Sequence, residues 1–163
     1  MPPLLRPLAP SDSSPLWSIA RDVFLDGTTY APDEAMTEAA FLGDWTGRGG
    51  EQWVAESEGR LLGAYTVRRN QPGRGAHVAT ASYLVDAAAR GQGVGRLLGE
   101  HSIVRARALG FAAIQFNFVV STNLPAVRLW QALRFRILAT LPGAFRHRSA
   151  GPVDAYVMWL DLR

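Results

Sequence analysis

Tyr83-Leu84-Val85-Asp86-Ala87-Ala88-Ala89-Arg90-Gly91-Gln92-Gly93-Val94-Gly95-Arg96-Leu97-Leu98 runs from a strand into three glycines at alternate positions and then directly into an amphipathic helix. Lacking a Cβ, Gly91, Gly93 and Gly95 let neighbouring backbone N–H groups converge into a nest for an anion. The helix start adds free N–H donors and the positive end of the helix dipole. Phosphate or pyrophosphate is the natural guest. A Walker loop requires Gly-Lys-Ser/Thr after its glycines, and here Gly95 is followed by Arg96-Leu97. A dinucleotide fingerprint requires glycine where Arg96 stands, and it belongs early in a βαβ unit. Neither nucleotide pattern holds.

Upstream of this loop, Leu4 to Leu8 reads as a short strand, and Pro7 points to a sheet edge. Leu16, Ile19, Ala20 and Val23 recur at helical spacing after the caps Ser11-Asp12-Ser13-Ser14-Pro15, so a first helix ends before Gly27. A second helix is predicted over Asp33–Leu42, with Met36, Ala39 and Ala40 on one face, before the break Gly47-Arg48-Gly49-Gly50. Gln52–Ser57 and Leu61–Arg69 form two strands about Glu58-Gly59-Arg60, and Ala76–Val85 a fourth strand. The stripe Val94, Leu97, Leu98, His101, Val104 and Ala108 predicts a helix closed by Gly110. A strand over Ala112–Val120, a helix over Asn123–Leu133 and strands over Phe135–Thr140 and Val153–Leu162 complete the chain. This order argues an α/β (α+β) fold, a mixed sheet with helices on both faces.

At 163 residues the chain suits a single domain, 1–163, with a sizeable core. It has no cysteine, so a disulfide framework, a thiolate nucleophile and a Cys-ligated zinc site are excluded, and no metal site is expected. The start MPPLLRPLAP lacks the pattern of a signal peptide, and no apolar run spans a membrane. A soluble, cytoplasmic protein is expected. All 17 basic residues are arginine, against 14 carboxylates. They are scattered among acids, without a basic tail, so the charge is read as solvated surface and nucleic acid is not expected as a partner.

Arg90-Gly91-Gln92-Gly93-Val94-Gly95 resembles motif A of the GCN5-related N-acetyltransferase (GNAT) superfamily, whose pattern is Arg/Gln-x-x-Gly-x-Gly/Ala. Tyr83-Leu84-Val85 is similar to the strand that pairs by backbone with pantetheine in that family, and Asn123-Leu124-Pro125-Ala126-Val127-Arg128-Leu129-Trp130 to its Asn-x-x-Ala-x-x-Leu-Tyr helix. The resemblance covers essentially the whole chain. It implies a mostly antiparallel sheet of about seven strands and acetyl-CoA as cofactor. It also implies coenzyme contacts from Tyr83, Leu84, Val85, Arg90, Gly91, Gln92, Gly93, Val94, Gly95, Arg96, Asn123, Ala126, Leu129 and Trp130. Homodimers are common in the family, which makes a homodimer an expectation.

A narrower likeness lies in Gly27-Thr28-Thr29-Tyr30, Gln71 to Val78, Gln115 to Asn123 and Val153 to Met158. These resemble the branch of fungal azetidine-2-carboxylate acetyltransferases, which implies a small cyclic imino acid, a proline analogue, as acceptor. By this likeness Thr29, Tyr30, Thr80 and Asn117 border the substrate, although Thr80 replaces an expected asparagine.

Acetyl transfer from a thioester needs a neutral amine, a held oxyanion and a protonated leaving thiolate. An aliphatic ammonium titrates near pH ~10, so deprotonating it at neutral pH costs about 4 kcal/mol. A base or water relay is therefore useful. Ala112–Val120 holds no carboxylate, leaving His77 and then Asp154 as candidates. The oxyanion donor is expected from the N–H of Leu84 or Val85. Trp130 stands where the family commonly has an acidic tyrosine, and an indole N–H donates a hydrogen bond without being a usable acid. Asn123 is expected to cap its helix as well as to contact pantetheine. Asn117 is either a core amide or a substrate anchor. The expected activity is direct N-acetylation of a small-molecule amine. The alternatives are a protein or peptide N-terminal acetyltransferase and a non-catalytic acyl-CoA-binding module.

Overall fold

The computed structural model describes residues 2–163. In chain order the elements are β1 (Leu4–Pro7), α1 (Ser13–Asp26), α2 (Glu38–Gly47), β2 (Glu51–Ser57), β3 (Arg60–Arg69), β4 (Val78–Val85), α3 (Val94–Ala108), β5 (Ala113–Val120), α4 (Leu124–Ala132), β6 (Arg136–His147) and β7 (Gly151–Asp161). The seven strands form one sheet in the order β1-β2-β3-β4-β5-β7-β6. Every neighbouring pair is antiparallel except β4 with β5. Pro7 does lie on an edge strand, where its missing N–H costs no ladder bond.

Two apolar layers cover the sheet. On one face α1 turns Leu16, Ile19, Ala20, Val23 and Phe24 inward, and with Phe41 and Trp45 of α2 they cover Val54, Leu61, Ala64 and Leu84. On the other, α3 and α4 pack Leu98, Ile103, Ala106, Val127 and Trp130 over Tyr65, Val67, Ile114, Phe116 and Met158. Alternation along each strand sorts its side chains between the layers. On β3 and β4, Thr66, Arg68, Thr80 and Ser82 share the face of Ala64 and Leu84. Tyr65, Val67, Ala81 and Tyr83 take the opposite one.

Three expectations are corrected. The second helix starts five residues later than Asp33, because the Asp33 side chain accepts the N–H of Ala35 in a local turn and Thr37 is the cap, accepting from Ala40 N–H at 3.3 Å. Its buried residues are Phe41 and Trp45, one turn apart, while Ala39 and Ala40 are exposed. On α3 the buried face runs through Val94, Leu98, Gly99, Ser102, Ile103 and Ala106, and Val104 is 59% exposed. Gly99 and Ser102 carry no apolar weight in the sequence, yet Gly99 admits the Trp130 ring and Ser102 bonds the Tyr83 hydroxyl. Finally, β6 runs on to His147 instead of ending at Thr140. It shifts register between Leu141 and Phe145, which accommodates Pro142 and Gly143.

Charged contacts fasten the layers. The Arg105 guanidinium grips both Glu51 oxygens at 2.6 and 2.7 Å and lies 5.5 Å from the Trp53 ring centre, tying α3 to β2. At the opposite corner the Asp12 carboxylate, 5% exposed, accepts from Arg6 at 2.7 and 2.9 Å and from Ala9 N–H at 2.7 Å. Arg6 also bonds Glu56. Asp12→Ala removes three charge-assisted bonds from a buried site and is expected to cost about 2–3 kcal/mol, read from the urea midpoint. The bonds from Arg6 hold the Asp12 carboxyl below its ordinary value. Its stabilisation is therefore complete above the unfolded-state pKa and fades as pH falls through the folded one. The difference between wild type and variant should shrink below about pH 4.

Candidate active site

The parallel pair β4–β5 is where the sheet opens. Asn70 N–H donates to the Val78 carbonyl and Asp86 N–H to the Leu62 carbonyl, both at 2.9 Å, so the even residues of β4 hydrogen-bond to β3. The odd residues then turn their peptide groups toward β5, as the His77 carbonyl does in accepting from Ala112 N–H at 2.8 Å. Yet β5 pairs with β4 only at Val78↔Ala113 and Ala79↔Ile114. Beyond Ala79 the strands part, and the peptide groups of Ala81, Tyr83 and Val85 face a wedge. An extended ligand can add there as a strand would. This corrects one expectation: Val85 faces the wedge as an oxyanion donor can, whereas Leu84, opposite Ala64, gives its N–H and C=O to β3.

Tyr30, from the loop after α1, reaches into the wedge. Its hydroxyl donates to the Tyr83 carbonyl at 2.7 Å and accepts from the Tyr83 N–H at 2.9 Å. One hydroxyl thus occupies both peptide groups that a paired strand would have used. Burial pushes the Tyr30 hydroxyl up to about 12, so it keeps its proton at neutral pH. The Tyr83 side chain points to the other layer. Ser102 donates its only proton to the Gly99 carbonyl at 2.7 Å, and its oxygen, 2.7 Å from Tyr83 Oη, is left to accept from that hydroxyl. Tyr83 therefore meets the wedge through its backbone alone.

At the far end of β4 lies the glycine loop. Gly91 and Gly93 adopt φ of 74° and 81°, the left-handed region that disfavours a side chain. Gly93 caps α3, and the first intrahelical bond is from Leu97 N–H to the Gly93 carbonyl at 3.0 Å. The N–H groups of Val94, Gly95 and Arg96 precede it and point out of the helix start, an anion seat. Gly95 sits close to Leu129 of α4, where an added Cβ would come within 3.5 Å of the leucine methyl. Arg90, Gln92 and Arg96 are exposed around the seat, with Arg96 bonded to Glu100 at 3.1 Å.

Trp130 is buried under the wedge, its ring centre 4.6 Å from Tyr83 and 4.8 Å from Phe116. It supports β4 and β5 where they separate, and Ala126 and Leu129 pack beside it. Asn123 precedes α4, but its side chain makes no cap bond: Pro125 stands where one of the capping N–H groups would be. The expected cap role is withdrawn, and the amide is left for another partner.

On the face shared with α1 and α2, Asn117 is exposed, not a core amide. It lies where β5 slips register against β7, accepts from Gln115 at 2.8 Å and donates to Asn70 at 2.7 Å. Thr80 is buried beside it on β4, opposite Arg68 of β3. Thr29 is half-buried in the loop that carries Tyr30. His77 is exposed at the closed foot of β4, six residues before Tyr83, or about 20 Å at the usual strand rise. That is beyond reach of a base acting directly or through one water, so His77 is removed from the site. The Asp154 carboxylate accepts from Gly143 N–H at 2.9 Å and holds the irregular stretch of β6. Sequence reasoning did not single out Tyr30's bond to the strand or the position of Arg68, because both depend on what the fold brings opposite them.

A separate cleft of about 550 Å³ lies between α1 and the β2–β3 turn. Its charged groups Arg6, Asp12, Glu56, Arg60 and Asp86 are already paired with one another. The wedge, with a β4 edge that β5 leaves unpaired and the glycine seat beyond it, is the better candidate. Among the described residues no three His, Asp or Glu side chains gather as metal ligands, and no helix is long and apolar enough to cross a membrane.

The family model of the Acetyltransferase (GNAT) family matches residues 16–135. The chain is 37% identical over 98 residues to the N-acetyltransferase aca1 of Schizosaccharomyces pombe, a match covering 60% of this chain and 47% of that protein. It thus spans about half the length of that relative. A GCN5-related N-acetyltransferase from Kribbella flavida superposes with a TM-score of 0.93 at 42% identity, covering 98% of this chain and 97% of the other. A phosphinothricin acetyltransferase from Sinorhizobium meliloti, solved with acetyl-CoA, shares the fold at 22% identity and a TM-score of 0.88, over 99% and 89% of the two chains. The mixed, mostly antiparallel seven-stranded sheet is the fold of this family.

Tyr30→Phe should leave the Tyr83 N–H and C=O without their partner and cost about 1–3 kcal/mol of folding stability. Chemical denaturation measures this, and an unchanged midpoint would show that the hydroxyl is not what satisfies the strand edge.

Proposed function

The chain belongs to the acetyltransferase (GNAT) family, and on that premise we propose that it transfers the acetyl group of acetyl-CoA directly to the amine of a small molecule, a cyclic imino acid of the proline-analogue type. The observation that carries this reading is the wedge: a strand edge with peptide groups at Ala81, Tyr83 and Val85 that leads to a helix-start anion seat at Gly93. A pantetheine arm is an extended chain with amides, and a pyrophosphate is an anion. One molecule satisfies both ends.

In this reading the seat at Val94, Gly95 and Arg96 takes the pyrophosphate, with Arg90 and Gln92 beside it. Asn123, Ala126 and Leu129 line the arm, and Trp130 supports it from below. The N–H of Val85 holds the developing oxyanion. The neutral amine nitrogen attacks the thioester carbon and the carbon–sulfur bond breaks. The N–H proton lost as the amide forms balances the one the departing thiolate takes up, and the proton shed earlier by the ammonium goes to solvent. Without cysteine, no acetyl-cysteine intermediate forms on the protein. Asn117, Thr80, Thr29 and Tyr30 bound the acceptor.

None of the side chains placed at the wedge is a carboxylate or histidine, and Tyr30 keeps its proton. The ammonium then loses its proton to water, and the rate follows the free-amine fraction. We expect kcat/KM for the acceptor to rise about tenfold per pH unit from about pH 6.5 to 9. A plateau near neutral pH would instead reveal an internal base. The reading itself is tested by thiol release from acetyl-CoA with a panel of amines that includes azetidine-2-carboxylate and proline analogues. Coenzyme binding without any amine-dependent turnover would favour a non-catalytic acyl-CoA-binding module, and turnover only with peptides a protein N-terminal acetyltransferase. Gly93→Val places a branched side chain at a left-handed φ and should weaken coenzyme A binding about 10- to 100-fold, seen by calorimetry. Unchanged affinity would show that the phosphates sit elsewhere.

A further inference from the structure

Arg68 is a charged side chain on the acceptor face that the foregoing reading leaves without a task. It leaves β3 on the same side as Thr66, directly opposite Thr80 of β4. Its guanidinium is half-buried between the sheet and α2. Among the described residues no carboxylate or carbonyl is within bonding distance of it. The nearest acid by electrostatic influence is Asp44 of α2, whose Oδ1 pairs with Arg48 at 2.6 Å and which makes no hydrogen bond to Arg68. Arg48 and Tyr30 are the other charged or titratable groups that act on it. Burial lowers the Arg68 pKa, and the charge of Asp44 offsets only part of that.

A second observation points the same way. Only two buried side-chain polar atoms among the described residues lack a hydrogen-bond partner, Thr66 Oγ1 and Trp45 Nε1. Thr66 is two residues from Arg68 on the same face of β3, and Trp45 is on the inner side of α2 next to Asp44. Buried polar groups are almost always satisfied, and an uncompensated one costs about 1–3 kcal/mol. An arginine without a hydrogen-bonded carboxylate and the unmet Thr66 hydroxyl thus share one face of β3, and the unmet Trp45 indole N–H lies in the layer that packs on that face.

We propose that Arg68 reads a carboxylate of the acceptor, so that this chain selects amino or imino acids with a free carboxyl group over simple amines, amides and peptides blocked at that position. The inference deepens the acceptor assignment made above and rests on it. The guanidinium fork matches the two oxygens of a planar carboxylate in a way that a hydroxyl or an amide cannot. Its position opposite Thr80, where β4 and β5 begin to part, sets the carboxylate at the inner end of the acceptor face. The amine of a small amino acid is then left toward Tyr83 and the wedge.

Binding and turnover separate this inference from the reading it rests on. With coenzyme A present, calorimetry compares azetidine-2-carboxylate, L-proline and a set of small amino acids with their carboxamides. The wild type should bind at least one acid about 10- to 100-fold tighter than its carboxamide. Arg68→Gln should lose that preference while its affinity for coenzyme A stays unchanged, and Arg68→Lys should regain part of it. Equal binding of acid and carboxamide by the wild type, or a preference that survives in Arg68→Gln, overturns the role of Arg68. So does failure of every acid to bind. Acid-selective binding without acetyl transfer would uphold Arg68 and sink the enzyme reading instead.

Discussion

The separation of β4 from β5 after Ala79 is the constraint on which the rest of this structure turns. Up to that point the strands are an ordinary parallel pair, and beyond it β4 keeps only its β3 ladder. Hydrogen-bond alternation then dictates which peptide groups are left facing the gap, and it selects Ala81, Tyr83 and Val85 without regard to their side chains. Buried peptide groups cannot stay unsatisfied cheaply. In the free protein Tyr30 meets the demand at Tyr83 with a single hydroxyl. A ligand of strand-like chemistry can meet it in the proposed complex.

Keeping the wedge open requires support beneath it. Trp130, Tyr83, Phe116 and Phe135 form a packed aromatic group, with Phe116 and Phe135 stacked 4.3 Å apart. Gly99 lets α3 approach it, since an added Cβ would come within 3.0 Å of the Trp130 ring and 2.8 Å of a Leu133 methyl. Trp130 is therefore explained by packing. The opposite layer is less uniform. It is apolar where α1 lies on Ala64 and Leu84, and it becomes polar toward Thr66, Arg68, Thr80 and Asn117. That gradient separates an apolar half from a polar half within one face of one sheet.

Local features of the chain were read correctly where the physics is local. Gly27 ends α1 because a left-handed residue must follow the last turn, and Gly91 and Gly93 mark a loop that side chains cannot build. The errors have equally plain causes. On α3 a count of apolar residues favoured Val104 and Ala108, whereas the buried face is chosen by what β3, β4 and α4 offer: a hydroxyl for Ser102 and a ring for Gly99. The start of α2 was misplaced because Asp33 suits either a cap or a turn, and only the packing of Phe41 and Trp45 decides between them. His77 stands out as a titratable residue near a strand start, but a strand spaces its ends far apart, and Tyr83 and the glycine seat lie toward the other end.

By itself the sequence determined the order of elements, the glycine seat and the family likeness, because periodicity, capping and turn chemistry act within a few residues of chain. It also determined that no thiol chemistry is available, since composition alone settles that. The tertiary structure decided what each polar group faces. It turned the peptide groups of Val85 toward the wedge and those of Leu84 away, put the Tyr30 hydroxyl on Tyr83, and left Arg68 half-buried with its neighbouring acid already paired. Such facts depend on strand register and on residues distant in the chain, and no local pattern encodes them.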